Sequence, residues 1–417
     1  MDQNLPNLYR EYGSYSNYRN FPLDLDGLKP VERRVLLSAY KIARQKFVKS
    51  RQVDAYTIGH YHPHGECYGT IVQLVRQGFL LGQGNFGTNI GIEPVGAAAP
   101  RYTECKASDY TLNLAFRLVN HVPWIETELG DTEPFYLPTM FPLCLIGKDY
   151  TQGIGFGYKT FIPCYDVKDL NKRLMWLLGE RKTKPTIQPI TDCKIVANNK
   201  TLEELLTTGK AKVGVQGVLI EEPRKNEVTL KSWPPGKRFE TILNKLSKYL
   251  ESGEIGFTDL SVSETQIVFQ VLRERNRDVI YKKFLKDLKE AVKGLISFET
   301  ITVDTNQKVI HKSIDQMLLD TFKIYSETTE NMINSEIKKI DETITEYQML
   351  LKIRPTILDC IQKKIEEKRM LQMIQDQFKI PQKKTLELIN KYKIRKLITV
   401  SLDTSKLQED IKSLKED

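Results

Sequence analysis

Apolar residues in the first third of the chain recur at helical spacing. They begin directly after Pro30, which suits the first position of a helix because its missing amide is not needed there. The apolar positions are Val31, Val35, Leu36, Ala39 and Ala43. The other faces carry Arg33, Arg34, Lys41 and Arg44. The pattern predicts an amphipathic helix with a basic outer surface, in a region of short helices joined by glycine-rich turns.

The pattern changes between residues 166 and 303. Apolar and polar positions alternate in residues 212–220, 227–230 and 265–272, as in half-buried strands. Residues 239–250 show helical periodicity instead. We therefore expect a separate α/β domain in this region.

The last third is rich in Lys, Glu, Ile and Leu and carries a heptad pattern. Residues alternately four and three positions apart are typical of a helix that packs against one other helix. Here they are Ile333, Ile337, Ile340, Ile344, Tyr347 and Leu351, and the spacing returns at Leu407, Ile411 and Leu414. Pro355 and Pro381 lie between the two patterns. We predict an outgoing helix, a small globule and a returning helix; a plain three-helix bundle is the alternative.

Length and composition limit the class of protein. A chain of 417 residues has room for two to four domains. Its hydrophobic fraction of 40% and mean hydropathy of −0.39 are typical of a globular protein and not of a disordered or membrane-spanning one. The first residues lack the basic and then apolar pattern of a signal peptide. We expect no membrane partner and a cytoplasmic or nuclear location.

Charge favours a polyanionic partner. The net charge is +9, and residues 29–51 concentrate it, with Glu32 as their single acid. The eight basic side chains there are Lys29, Arg33, Arg34, Lys41, Arg44, Lys46, Lys49 and Arg51. Such a stripe would bind phosphates well. The six cysteines form no CxxC pair, which argues against structural zinc and a disulfide framework.

Three of the five histidines, His60, His62 and His64, lie within five residues. Zinc binding is one interpretation, but Pro63 interrupts a helix here and Glu66 is the only other residue at ligand spacing. Imidazoles also orient phosphates or transfer protons near pH 7, and the nearby basic stripe favours that interpretation.

Two further segments resemble known ligand motifs. Residues 82–87 (GQGNFG) lack the GKS or GKT ending of a phosphate-binding loop, so we expect no P-loop. Asp24 and Asp26 could hold a metal ion, but they precede the helix at Pro30 and are better explained as helix-entry residues that accept free amides.

Arg101 and Tyr102 are the most suggestive pair chemically. A tyrosine hydroxyl ordinarily has a pKa near ~10, so a nucleophilic tyrosine needs a proton acceptor and a cation that stabilises the attacked phosphate. Arg101 is adjacent and small residues precede it. On spacing alone, an ordinary surface pair explains them equally well.

Five motifs in order resemble the DNA breakage-reunion subunit of type IIA topoisomerases, as in gyrase and topoisomerase IV. The motifs are DGLKPVERR at 26–34, YHPHG at 61–65, GQGNFG at 82–87, AAPRYTE at 98–104 and GIGFGY at 153–158. The small size and separate cutting subunit look most like the medium subunit of a phage or viral topoisomerase.

The resemblance implies an α+β, multidomain fold. It has a winged-helix DNA-cleavage domain, an α/β tower domain and a long antiparallel coiled coil with a helical C-gate globule. The implied boundaries are 1–23 for an N-terminal arm, 24–165 for the winged helix, 166–310 for the tower, 311–354 for the outgoing helix, 355–402 for the globule and 403–417 for the returning helix.

The resemblance also implies roles for individual residues. Tyr102 is the nucleophile of a 5'-phosphotyrosyl link, Arg101 stabilises the attacked phosphate, and His64 positions or protonates near it. Ile154 wedges between base pairs. Further DNA-binding residues are Lys29, Arg33, Arg34, His62, Gln83 and Asn85.

The implied enzyme is an ATP-dependent isomerase that works only with a partner subunit. A homodimer of this chain grips double-stranded DNA, while Mg²⁺ and ATP belong to a TOPRIM/ATPase partner. We expect no metal ligands, TOPRIM domain, ATPase domain or C-terminal wrapping domain in this chain, and a cytoplasmic location, in the host if the source is a phage or virus. The alternative is a non-enzymatic, dimeric DNA-binding or DNA-bridging protein on the same scaffold.

Overall fold

The computed structural model describes residues 5–392 and 412–413. It divides into two compact units, Met1–Thr328 and Thr329–Asp417. Its α+β composition, with several antiparallel sheets and one long helix, agrees with the predicted class. In the part of the chain that the structure describes, no helix is both long and apolar enough to cross a membrane.

The first unit begins with helices around a small sheet. The helices are α1 (Leu5–Asn20), α2 (Pro30–Ile42), α3 (Ser50–His60), α4 (Tyr68–Gln77) and α5 (Asp109–Ala115). The strands are β1 (Val48–Lys49), β2 (Leu80–Gln83) and β3 (Glu104–Ala107). They form an antiparallel sheet in the order β1-β3-β2, with Val48 opposite Cys105 and Leu80 opposite Ala107. Helices α2 and α4 bury their apolar faces against this sheet.

Helix α2 confirms the predicted start at Pro30 and the apolar face, but its basic face is not where we expected it. Arg33 and Arg34 are only 4% and 8% exposed, so the prediction that they lie on an outer surface is wrong. Residue spacing predicts which face of a helix a side chain lies on, but not whether that face is buried. Both arginines are buried because buried carboxylates, Asp26 and Glu133, neutralise them.

The remainder of the first unit contains two larger sheets and two hairpins. Its strands are β4 (Trp124–Glu126), β5 (Thr132–Pro134), β6 (Thr151–Ile154), β7 (Lys159–Ile162), β8 (Lys194–Ile195), β9 (Lys210–Gln216), β10 (Leu219–Glu222), β11 (Glu227–Leu230), β12 (Ile255–Asp259), β13 (Ile267–Val271), β14 (Lys293–Glu299), β15 (Ile301–Val303) and β16 (Val309–His311). Its helices are α6 (Val167–Leu177), α7 (Asn199–Thr208), α8 (Phe239–Glu251) and α9 (Arg277–Ala291). The sheet orders are β6-β7-β14-β9-β8 and β10-β11-β13-β12, and β4-β5 and β15-β16 are hairpins.

The alternating pattern located most of these elements. The predicted strand at 227–230, the strand within 265–272 and the helix at 239–250 are confirmed as β11, β13 and α8. The single strand predicted at 212–220 is wrong, because the chain leaves one sheet after Gln216 and enters the other at Leu219. At Gly217 a Cβ atom would lie 2.4 Å from the Ser232 carbonyl oxygen, so the crossing point requires glycine.

The long helix α10 (Ile314–Gln362) spans both units, and the second unit adds α11 (Glu367–Phe378) and α12 (Gln382–Tyr392). We expected the outgoing helix to end at 354, but it continues through Pro355. Ile353 and Ile357 are buried in one core on either side of the proline, and this packing supports the helix where an amide is missing. Of the predicted returning helix at 403–417, only residues 412 and 413 are described; the last ten residues of the predicted globule, 393–402, also lie outside the described residues.

Candidate functional site

Tyr102 lies in the loop directly before β3 and is 64% exposed. Its backbone amide donates to the Ala99 carbonyl at 2.9 Å. The Arg101 guanidinium carbon lies 4.6 Å from the centre of the Tyr102 ring, a cation–π contact. The predicted pair is therefore a physical pair, open to a large substrate.

Helix α3 and helix α4 hold the Tyr102 loop from beneath. The amides of Ser50 and Arg51 donate to the carbonyls of Thr103 and Pro100, at 2.9 and 3.2 Å. The Tyr68 hydroxyl donates to the Ala98 carbonyl at 2.5 Å, and the buried Thr103 hydroxyl donates to Ser50 Oγ at 2.8 Å. The exposed nucleophile candidate thus stands on a fixed backbone.

The GQGNFG loop packs against the other side of Tyr102. Gly84 has φ +103°, and a Cβ atom there would lie 3.2 Å from the Tyr102 carbonyl oxygen. Asn85 accepts the Ala98 amide on its carbonyl and the Gly87 amide on its side chain, both within hydrogen-bond distance. Gln83 pairs with Glu104 across β2 and β3. The fold therefore brings Gln83 and Asn85 beside Tyr102.

The histidine turn is tied to the same helix α3. Arg51 pairs with Glu66 at 2.7 Å and with Asp54 at 3.0 Å, and Asp54 also accepts the Cys67 amide. Since Arg51 also contacts the Tyr102 loop through its amide, one residue joins the two motifs.

Each of the three histidines has a protein partner. His60 Nδ1 lies 3.0 Å from Asp131, His62 Nδ1 lies 3.2 Å from the Arg34 guanidinium, and His64 Nε2 lies 2.6 Å from the Tyr15 hydroxyl. Burial, reinforced by Arg34, lowers the pKa of His62 to about 4, so this imidazole is neutral near pH 7. Among the described residues, no group of three His, Cys, Asp or Glu side chains could hold a metal ion.

The predicted DNA-binding cations occupy two different environments. Arg33 is bidentate on Asp26, and Arg34 is bidentate on Glu133. Asp26 also accepts the amides of Leu28 and Leu137, which lie outside helix α2, and Asp24 pairs with Lys312. The expectation that these two acids accept the free amides of the helix is therefore wrong, because their main partners are an arginine and a lysine side chain. Lys29 is half-buried, and its Nζ donates to the Gln152 carbonyl at 2.5 Å.

Ile154 ends strand β6 and is 73% exposed, the greatest exposure of any isoleucine in the described chain. The hairpin that carries it rests on α1. A Cβ atom at Gly153 would lie 2.3 Å from the Asn20 carbonyl oxygen, and Asn17 Oδ1 accepts the Phe156 amide at 2.6 Å. An exposed apolar tip on an anchored base is the arrangement that a wedge requires.

Sequence reasoning missed the partners of the histidines. Tyr15 and Glu128 both contact His64, across 49 and 64 residues of sequence respectively. Glu133 contacts Arg34 over 99 residues. No local pattern marks such long-range contacts. The single signal in the sequence was the group of acids at 126–133, in a stretch from 118 to 147 that contains no lysine or arginine.

A comparison with known proteins shows which protein family the chain resembles. The family model for the A subunit of DNA gyrase and topoisomerase IV matches residues 19–417. The chain is 31% identical over 313 residues to the DNA gyrase A subunit of Haemophilus influenzae, covering 67% of this chain and 34% of that protein. It is 27% identical over 274 residues to the DNA topoisomerase 4 A subunit of Salmonella typhimurium, covering 60% and 35%. The chain thus spans about a third of the length of the curated relatives it matches.

Proposed function

Because the chain belongs to the family of DNA gyrase and topoisomerase IV A subunits, we propose that it is the DNA-cleaving subunit of an ATP-dependent type IIA topoisomerase. It makes a transient double-strand break for strand passage. The observation that carries the proposal is the exposed Arg101–Tyr102 pair, held by backbone contacts from the start of α3 and from the GQGNFG loop.

The proposed reaction is a transesterification. The Tyr102 hydroxyl oxygen attacks a backbone phosphate, a tyrosyl O–P bond forms, and the bond from phosphorus to the 3' oxygen breaks. The tyrosine proton is lost to solvent or a base, and the leaving 3' oxygen takes up a proton. Arg101 balances the charge on the phosphate, and His64 donates a hydrogen bond to it. Because bond energy is conserved in the link, the reverse attack reseals the strand.

Mg²⁺ and ATP are assigned to a partner protein. The described residues offer no cluster of three metal ligands, so the donor set of this part of the chain does not fit a resident metal, and no step above runs through one. In this proposal the partner carries the TOPRIM and ATPase domains, and the chain acts as a homodimer.

The proposed domains keep the boundaries expected from the sequence, except that the outgoing helix ends at Gln362 and not at 354. Helices α2 to α4 with the three-stranded sheet support a winged-helix domain, and the two larger sheets support a tower. The five-stranded sheet includes β6 and β7, so the two domains share a sheet across residue 166. We further propose a phage or viral source and a cytoplasmic location in the host.

Dependence on a partner tests the proposed function. The chain alone should bind duplex DNA with steep salt dependence, because lysines and arginines displace counterions, and should not cleave it. With its TOPRIM/ATPase partner, Mg²⁺ and supercoiled plasmid, detergent should release linear DNA with protein at its 5' ends. Gel electrophoresis before and after proteinase treatment measures both products.

Two results would contradict this assignment. Efficient Mg²⁺-dependent cleavage by the isolated chain would reveal a metal site in it. DNA binding with no cleavage under any condition, including the full complex, would favour the non-enzymatic DNA-bridging protein.

Shortening the proposed wedge should reduce DNA bending. Ile154→Ala removes the exposed apolar tip. Unstacking a base step costs roughly a few kcal/mol, and without the tip no contact offsets this cost, so the step stays stacked. We expect a smaller bend by end-to-end FRET and slower strand passage, while Val262→Ala, at a residue 89% exposed elsewhere in the unit, changes neither. A bend unaffected by Ile154→Ala would remove the wedge role.

A further inference from the structure

The side chains around His64 form a small group of hydrogen-bond donors. The Tyr15 hydroxyl lies 2.6 Å from His64 Nε2, and the two rings meet edge to face with centroids 5.8 Å apart. The Arg19 guanidinium carbon lies 5.7 Å from the centre of the Tyr15 ring. A donor from α1 and a donor from the histidine turn thus converge beside a positive charge.

A carboxylate of the same chain occupies this place. Glu128 Oε1 lies 3.3 Å from the Tyr15 hydroxyl and 3.7 Å from His64 Nε2. A hydroxyl has one proton, so when Tyr15 donates it to Glu128, His64 Nε2–H donates to the Tyr15 oxygen. The Tyr15 proton is then used on the carboxylate, and the His64 proton supports the tyrosine oxygen that donates it.

The donors are held more firmly than the carboxylate. The His64 side chain is 20% exposed, whereas that of Glu128 is 53% exposed. Glu128 belongs to the turn between β4 and β5, which is closed by the Thr127 amide on the Asp131 carbonyl. Moving its side chain into solvent therefore breaks one hydrogen bond, to Tyr15, and one longer contact, to His64, and disturbs no hydrophobic core.

The other acidic residues of the β4–β5 hairpin, all among those that the structure describes, form no hydrogen bond or ion pair with His64 or Tyr15. Asp131 pairs with His60, and Glu133 is buried on Arg34. Glu126 is exposed on β4 and has no ion pair within the described residues. The hairpin thus supplies both a candidate residue and a matched control of the same charge.

We propose that Tyr15 and His64 form a binding subsite for a DNA backbone phosphate, and that Glu128 fills this subsite until DNA displaces it. The inference rests on the proposed function. Phosphate oxygens accept the same hydrogen bonds as a carboxylate, and a phosphodiester carries the same single negative charge. Tyr15 is thereby a DNA-binding residue from the N-terminal helix, and Glu128 is a built-in competitor that weakens binding.

The two residues are expected to have opposite effects. Glu128→Gln keeps the size of the side chain and removes the competing charge, so the chain should bind a short labelled duplex about fivefold more tightly. Tyr15→Phe removes a phosphate donor and should weaken binding about threefold. Glu126→Gln removes the same charge from an unpaired position and should change affinity less than about twofold.

Fluorescence anisotropy of the isolated chain, without partner or Mg²⁺, measures all four proteins, and circular dichroism checks that each is folded. If the unsubstituted chain fails to bind duplex, the proposed function itself fails. If it binds, and Glu128→Gln matches Glu126→Gln or weakens binding together with Tyr15→Phe, the subsite is refuted and the contact is a structural tether. A misfolded Glu128→Gln is replaced by Glu128→Ala, for which the same increase is required.

Discussion

Tyr102→Phe is expected to abolish protein-linked DNA while leaving DNA binding intact. The substitution removes the oxygen that attacks the phosphate in the proposed reaction. The ring remains, so its contact with Arg101 at 4.6 Å and the backbone of the loop are preserved. We expect covalent complexes to fall by at least about 10³-fold, to the detection limit of a detergent-trapping assay, with duplex affinity within about twofold of the unsubstituted chain.

Tyr12→Phe provides the control for this experiment. Tyr12 is also 64% exposed, but it lies on α1 and contacts Phe156 and not Arg101. This variant should form covalent complexes at the normal level. Phosphotyrosyl DNA that persists in Tyr102→Phe would move the nucleophile to another residue.

Asp26→Ala is expected to cost about 3–5 kcal/mol of unfolding free energy. Asp26 is fully buried and accepts two hydrogen bonds from Arg33 and one each from the Leu28 and Leu137 amides. Its removal leaves the Arg33 charge buried without a counter-ion, and two amides lose their acceptor. The loss is larger than the net value of the pair, because it includes the uncompensated desolvation of the arginine.

Chemical denaturation, followed through the unfolding transition of the first unit, measures this loss of unfolding free energy. Lys172→Ala breaks the surface pair with Asp169, whose side chains are 50% and 38% exposed, and should cost less than about 1 kcal/mol. Equal costs for the two variants would show that the Asp26–Arg33 pair contributes no more than a surface contact does.

Local periodicity located elements but not their partners. The apolar face of α2, the amphipathic helix α8 and the strand β11 follow from spacing, because each is decided by which residues of one segment turn inward. The burial of Arg33 and Arg34 depends on Asp26 and Glu133, which no spacing rule connects to them. The change of sheet at Gly217 depends likewise on the Ser232 backbone.

The candidate site likewise contains residues that the sequence motifs indicate and contacts that they do not. Its exposed residues, Tyr102 and Ile154, belong to motifs that a resemblance can transfer one by one. The partners of His60 and His64 come from the β4–β5 hairpin and from α1, outside those motifs, whereas Arg34, the partner of His62, belongs to one. The sequence therefore nominates the candidate residues, whereas most of the contacts around them come from the structure alone.

Helix α1 contacts two of the proposed functional positions at once. Tyr15 holds His64, while Asn17 and Asn20, within the next two turns, carry the hairpin of Ile154. A rigid helix cannot shift under one of these contacts without disturbing the other. In the proposed mechanism, phosphate binding at Tyr15 and DNA bending at Ile154 are therefore thermodynamically coupled: each should favour the other, and their free energies should not add.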